Sequence, residues 1–177
     1  MLQAVRNNNI DEVRTILKRG ADVNDHMNDV ITDDGIRDEV TVLHMAAYLG
    51  HADIAKYLLD HGANLHEVDF ERKTPMHYAA EKGRIEIIKI LMDYGADLHA
   101  RDRYDRTPLH YATREGRLET TTFLVNQGAN LRARNRYMYT PLHEAIESEC
   151  TEIVDWLVAR KIQVAWRAHR SVCISVN

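Results

Sequence analysis

The tetrapeptides Thr41-Val42-Leu43-His44, Thr74-Pro75-Met76-His77, Thr107-Pro108-Leu109-His110 and Thr140-Pro141-Leu142-His143 begin 33 residues apart. A chain repeating at this period builds one supersecondary unit several times, because each unit leaves an apolar face that only a neighbouring copy can cover. That interval restricts the chain to a stack of modules and excludes a single central core.

Each tetrapeptide is followed by a small-residue turn of helix: Ala46-Ala47, Ala79-Ala80, Ala112-Thr113 and Ala145-Ile146. A break comes next, at Gly50, Gly83 and Gly116, where a helix end needs a residue tolerant of positive φ. Glu149 takes that place in the last copy. A second helix is predicted after the break, its inward face carried by Ile54-Ala55 with Leu58-Leu59, Ile87-Ile88 with Ile90-Leu91, and Ile153-Val154 with Trp156-Leu157. Units close on Gly62-Ala63, Gly95-Ala96 and Gly128-Ala129, and Gly20-Ala21 closes an earlier one whose second helix runs from Asp11 to Lys18. The threonines suit helix N-caps, and proline after them loses nothing, since its missing N–H would be unpaired there.

With Thr-Pro-Leu-His, Ala, Gly, a second apolar helix and Gly-Ala in register, the chain resembles the ankyrin repeat family over positions 41 to 164 and, less fully, 2 to 24. The resemblance implies an all-α solenoid of stacked antiparallel helix pairs with β-hairpin fingers projecting between repeats. Five repeats are expected, at about 1–24, 41–73, 74–106, 107–139 and 140–164, followed by a tail over 165–177. Residues 25–40 form an insertion: Gly20 to Thr41 spans 21 residues where Gly62 to Thr74 spans 12.

Composition removes several function classes. A net charge of −4 gives no general affinity for nucleic acid or anionic membrane. Two cysteines, Cys150 and Cys173, are too few for a disulfide framework and point to a reducing compartment, cytoplasmic or nuclear. No apolar run reaches a membrane span and no signal-peptide core opens the chain. Ten histidines suggest metal at first. Yet His44, His77, His110 and His143 fall on successive layers roughly 10 Å apart, whereas zinc needs ligands converging at about 2 Å. They read as histidines bonded within their own or the neighbouring turn, and neither metal nor cofactor is expected. No phosphate loop, nucleophile elbow or Cys-His pair stands out, so the chain reads as non-catalytic.

Function then falls to the positions where repeats differ. On the first helices these are Met45, Tyr78, Tyr111 and Glu144, and one turn on Tyr48, Glu81 and Arg114, which together read as an exposed column suited to partner recognition. The fingers carry Arg101, Arg103, Tyr104 and Arg106, then Arg132, Arg134, Arg136, Tyr137 and Tyr139, a basic and aromatic ledge. The insertion carries Asp25, Asp29, Asp33, Asp34, Asp38 and Glu39 against Arg37 alone, with no scaffold evident to fix its acidic pairs. A dipolar, monomeric interaction module follows, a scaffold, adaptor or inhibitor whose protein partner bears an acidic patch. Alternatives are a fragment of a larger protein such as a ubiquitin-ligase adaptor or channel tail, or single-stranded RNA binding through the Arg and Tyr fingers. The family resemblance further implies hydroxylation by an iron and oxoglutarate-dependent enzyme at Asn24, His66 or His99, positions whose commoner role is hydrogen bonding within the turn.

Departures from the pattern mark weak points. Thr120 and Thr121 replace the apolar pair of the fourth repeat, which is expected to fray early. Arg72, Asp105 and Met138 sit where family fingers usually carry glycine, implying strain or a changed turn. Trp166, Val172 and Ile174 are expected either to fold over the last repeat or to lead into a longer chain.

Overall fold

A computed structural model describes residues 1–28, 30–32, 35–37 and 39–160. The expected tail, the end of the fifth repeat, and Asp29, Asp33, Asp34 and Asp38 lie outside the described residues. Helices α1 (Leu2–Arg6) and α2 (Ile10–Lys18) precede a two-stranded hairpin, β1 (Val30–Thr32) and β2 (Gly35–Arg37). Four helix pairs follow: α3 (Val42–Leu49) with α4 (Ala52–Asp60), α5 (Pro75–Glu81) with α6 (Ile85–Asp93), α7 (Pro108–Arg114) with α8 (Leu118–Asn126), and α9 (Pro141–Glu147) with α10 over 151–160. First helices pack on first helices, α1 to α3 to α5 to α7 to α9, and second helices on second, α2 to α4 to α6 to α8.

Each first helix starts from the same device. Thr41 N–H donates to His44 Nδ1 at 3.1 Å while the threonine side chain takes the backbone N–H of that histidine, and the box recurs at Thr74/His77, Thr107/His110 and Thr140/His143. Because Nδ1 accepts, Nε2 carries the proton, and it donates across to the next finger: His44 to Lys73 O at 3.0 Å, His77 to Arg106 O and His110 to Tyr139 O at 3.1 Å each. The repeated histidine is thus a tie between layers. Burial holds the pKa of His44, His77 and His110 down at about 4, so all three are neutral near pH 7.

The inter-helix break behaves as its residues require. Gly50 sits at φ 89°, and an added Cβ would lie 2.8 Å from Arg84 Cδ, whose Nε donates to Tyr48 O at 3.3 Å. Glycine there supplies both the left-handed backbone and the room for the inter-repeat bond. Glu149 adopts φ 57° in the corresponding place, and Arg72, Asp105 and Met138 adopt φ 62°, 60° and 65°. The finger turn keeps its left-handed geometry with a side chain present, at the steric cost expected for non-glycine residues.

One apolar core runs from Ala4 to Ala129, and a small separate cluster of Ala145, Ile153 and Leu157 serves the last pair. Leu131 and Trp156 pack against both, and Thr113, Thr120 and Thr121 are buried in the fourth repeat. Thr121 Oγ1 is buried without a hydrogen-bond partner. The described part of the insertion holds a paired hairpin that its irregular composition does not predict. β1 and β2 pair antiparallel with Val30 opposite Arg37, and a further bridge joins Met27 to Val40.

Candidate functional site

The second, third and fourth fingers are tight hairpin turns at 69–73, 102–106 and 135–139, each closed by two backbone bonds: Asp69 N to Lys73 O with Arg72 N to Asp69 O, Asp102 N to Arg106 O with Asp105 N to Asp102 O, and Asn135 N to Tyr139 O with Met138 N to Asn135 O. The first residue of each organises the turn. Asp69 Oδ1 accepts from Glu71 N and Lys73 N, Asp102 Oδ1 from Tyr104 N and Arg106 N, and Asn135 Oδ1 from Tyr137 N and Tyr139 N. Neighbouring turns are joined at their tips, Arg103 N–H to Glu71 O and Arg136 N–H to Tyr104 O, both at 2.8 Å.

The same anchoring residue reaches down to the first helix of the next repeat. Tyr78 Oη donates to Asp69 Oδ2 and Tyr111 Oη to Asp102 Oδ2, both at 2.7 Å, and Asn135 Nδ2 donates to Glu144 Oε1 at 2.8 Å. Burial pushes the Asp69 carboxyl up, and burial together with the Asp102 charge pushes the Tyr111 phenol up.

These struts overturn one expectation. Met45, Tyr78 and Tyr111 are at most 1% exposed, and Tyr48, Glu81 and Glu144 are also buried. The column expected to form a recognition face is closed, because close-packed first helices and the fingers standing on them cover it. Of that set Arg114 alone reaches the rim, half-buried, 5.1 Å from the Tyr111 ring and paired with Glu115 at 3.0 Å. The residues that sequence reasoning passed over, Asp69, Asp102 and Asn135, had a signal in their own 33-residue spacing and their constant separation of nine from Tyr78, Tyr111 and Glu144.

The ledge remains on the surface. Arg101, Arg103, Arg132, Arg134, Arg136 and Tyr137 are exposed, and Tyr104 is half-buried. Phe70, not anticipated, is 61% exposed at the tip of the second finger, and Tyr137 is 58% exposed. Arg103 stands 5.1 Å from the Phe70 ring centroid and 5.6 Å from that of Tyr104, while Arg106 and Arg136 lie 5.0 and 5.9 Å from Tyr104. Arg101 is held by Asp105 O and Arg134 O at 3.1 Å and by the Asp105 carboxylate at 3.9 Å. Among the described residues no carboxylate pairs with Arg103, Arg132, Arg134 or Arg136.

Elsewhere the surface offers less. Asn24 ties its turn to the next repeat, donating to Gly62 O at 3.2 Å and accepting from Asn64 N at 2.8 Å, while His66 and His99 are exposed. An open groove of about 560 Å³ lies between α6, α8 and α10 on the second-helix side, lined in part by Ile85, Leu118, Phe123 and Trp156. Among the described residues no three His, Cys, Asp or Glu side chains gather as metal ligands, and no helix is long and apolar enough to cross a membrane.

Stacked helix pairs, histidine ties and anchored fingers define a repeat solenoid. The family model described as ankyrin repeats (three copies) matches residues 1–102 and again 100–165, and the chain belongs to the ankyrin repeat family. Such repeats are generally protein–protein interaction modules and typically non-catalytic. No curated protein matches the chain.

Proposed function

We propose that this chain is a protein-binding module, a scaffold, adaptor or inhibitor, that holds an acidic region of its partner against the tips of the third and fourth fingers. The observation carrying this reading is the exposure of Arg103, Arg132, Arg134 and Arg136 with no carboxylate partner among the described residues, beside the aromatic surfaces of Phe70, Tyr104 and Tyr137. Unpaired guanidinium groups on a rigid frame steer and orient an acidic partner, and amphipathic aromatic rings supply contact area at small entropic cost. The buried first-helix column has a supporting role, fixing the fingers through Asp69, Asp102 and Asn135. A monomeric protein acting in the cytoplasm fits this reading.

Charge reversal at Arg132, Arg134 and Arg136 to glutamate, followed by affinity purification, tests it. Partners recovered with the native chain are lost with the variant, while recovery of every partner at native levels removes the fingers from the account.

A further inference from the structure

The charges of the ledge are ordered by the repeat. Arg103 and Arg136 occupy the same place on successive fingers, and so do Arg101 and Arg134. The frame that spaces them is stiff, because each tip is bonded to the next through the backbone and each turn is anchored to the helix beneath. Members of each pair are therefore one repeat apart, roughly 10 Å.

We infer that the third and fourth fingers seat an extended acidic segment of the partner, in polyproline II conformation along the stack axis, with carboxylate side chains three residues apart. This inference rests on the proposed function above. A polyproline II chain has three residues per turn and rises about 3.1 Å per residue, so residues i and i+3 point the same way about 9 Å apart, close to the repeat spacing. A β-strand alternates its side chains and sends i and i+3 to opposite faces. Single carboxylates of the segment meet Arg103 and Arg136, which have no carboxylate partner among the described residues. The second pair is asymmetric: Arg101 is already held by Asp105 and by the Arg134 carbonyl, leaving the Arg134 guanidinium as the free member. Residues between the carboxylates lie against Phe70, Tyr137 and Met138, all more than half exposed, which favours proline and other apolar side chains there.

The test uses the full chain and two labelled peptides of one composition, the first repeating Glu-Pro-Pro and the second with the same glutamates gathered at one end. Fluorescence anisotropy at low salt is expected to give about tenfold tighter binding of the periodic peptide, weakening with added salt, and the variant R103Q/R136Q to remove that preference while its urea unfolding midpoint stays native. Equal binding of both peptides, abolished by R103Q/R136Q, overturns the spacing and leaves an acidic partner in place. Binding of neither peptide, or binding indifferent to R103Q/R136Q, overturns both. Tighter arginine-dependent capture of single-stranded oligouridine than of either peptide also overturns the inference, in favour of nucleic acid.

Discussion

Asn135 Nδ2 donates to Glu144 Oε1 across 2.8 Å, at the place where Tyr78 and Tyr111 donate to Asp69 and Asp102 in the two preceding repeats. Acid and donor have changed sides, and the bond has survived. The variant N135D sets two carboxylates against each other in a buried site and is expected to cost about 2 kcal/mol. N135D/E144Y restores the arrangement of the earlier repeats and recovers most of that loss. Urea unfolding of the single and double variants checks it, and equal losses in both would show that the strut is not the contact that matters.

Lys73 bears a second buried interaction. Its Nζ lies 3.1 Å from Glu71 and 3.6 Å from Glu81, with 4% of the side chain exposed, and 4.8 Å from the Tyr111 ring. Removing the cation alone takes a countercharge away from the buried Glu81. K73M is expected to destabilise by about 3 kcal/mol, and K73M/E81Q by much less, measured by the same unfolding.

Acid sensitivity follows from the histidine ties. His44, His77 and His110 sit at about 4 when folded against an ordinary 6.5, so between those values the unfolded chain takes up protons that the folded chain refuses. Their contribution is complete above about pH 6.5 and is lost as pH falls toward 4, at about 1 kcal/mol per pH unit for each histidine. Asp69 works in the opposite sense, its raised carboxyl taking a proton more readily when folded, and offsets part of the loss. Unfolding midpoints should fall steadily from pH 7 to pH 5. A flat profile would mean the rings charge without breaking their bonds.

Thr121 is a cheap site for improvement. Its hydroxyl is buried and unpartnered, and valine has nearly its shape. T121V is expected to stabilise the chain by about 1 kcal/mol, and hydrogen exchange should slow in α8 more than in α6.

The architecture was legible in the chain because its 33-residue period reports a geometric necessity. Caps, breaks and the left-handed positions at Arg72, Asp105, Met138 and Glu149 all follow from that period. The first-helix column was misread for a physical reason. Tyrosine has a large apolar body and one polar atom, so it suits a recognition surface and a buried strut equally, and only its hydrogen-bond partner decides between them. That partner stands nine residues upstream, and the exchange of Asp–Tyr for Asn–Glu hides the relation from a search for identical residues. Phe70 escaped notice because its equivalents are arginines, Arg103 and Arg136, while its exposure depends on where the finger tip points.

The central claim, that the fingers and not the helix faces hold the partner, is tested most directly by site-specific photocrosslinking. A photoreactive residue is placed at Tyr137 on the fourth finger or at Phe123 in the groove between second helices. Crosslinks to a partner protein from Tyr137, lost when Arg132, Arg134 and Arg136 are reversed in charge, are the predicted result. Crosslinks from Phe123 with none from Tyr137 would contradict it.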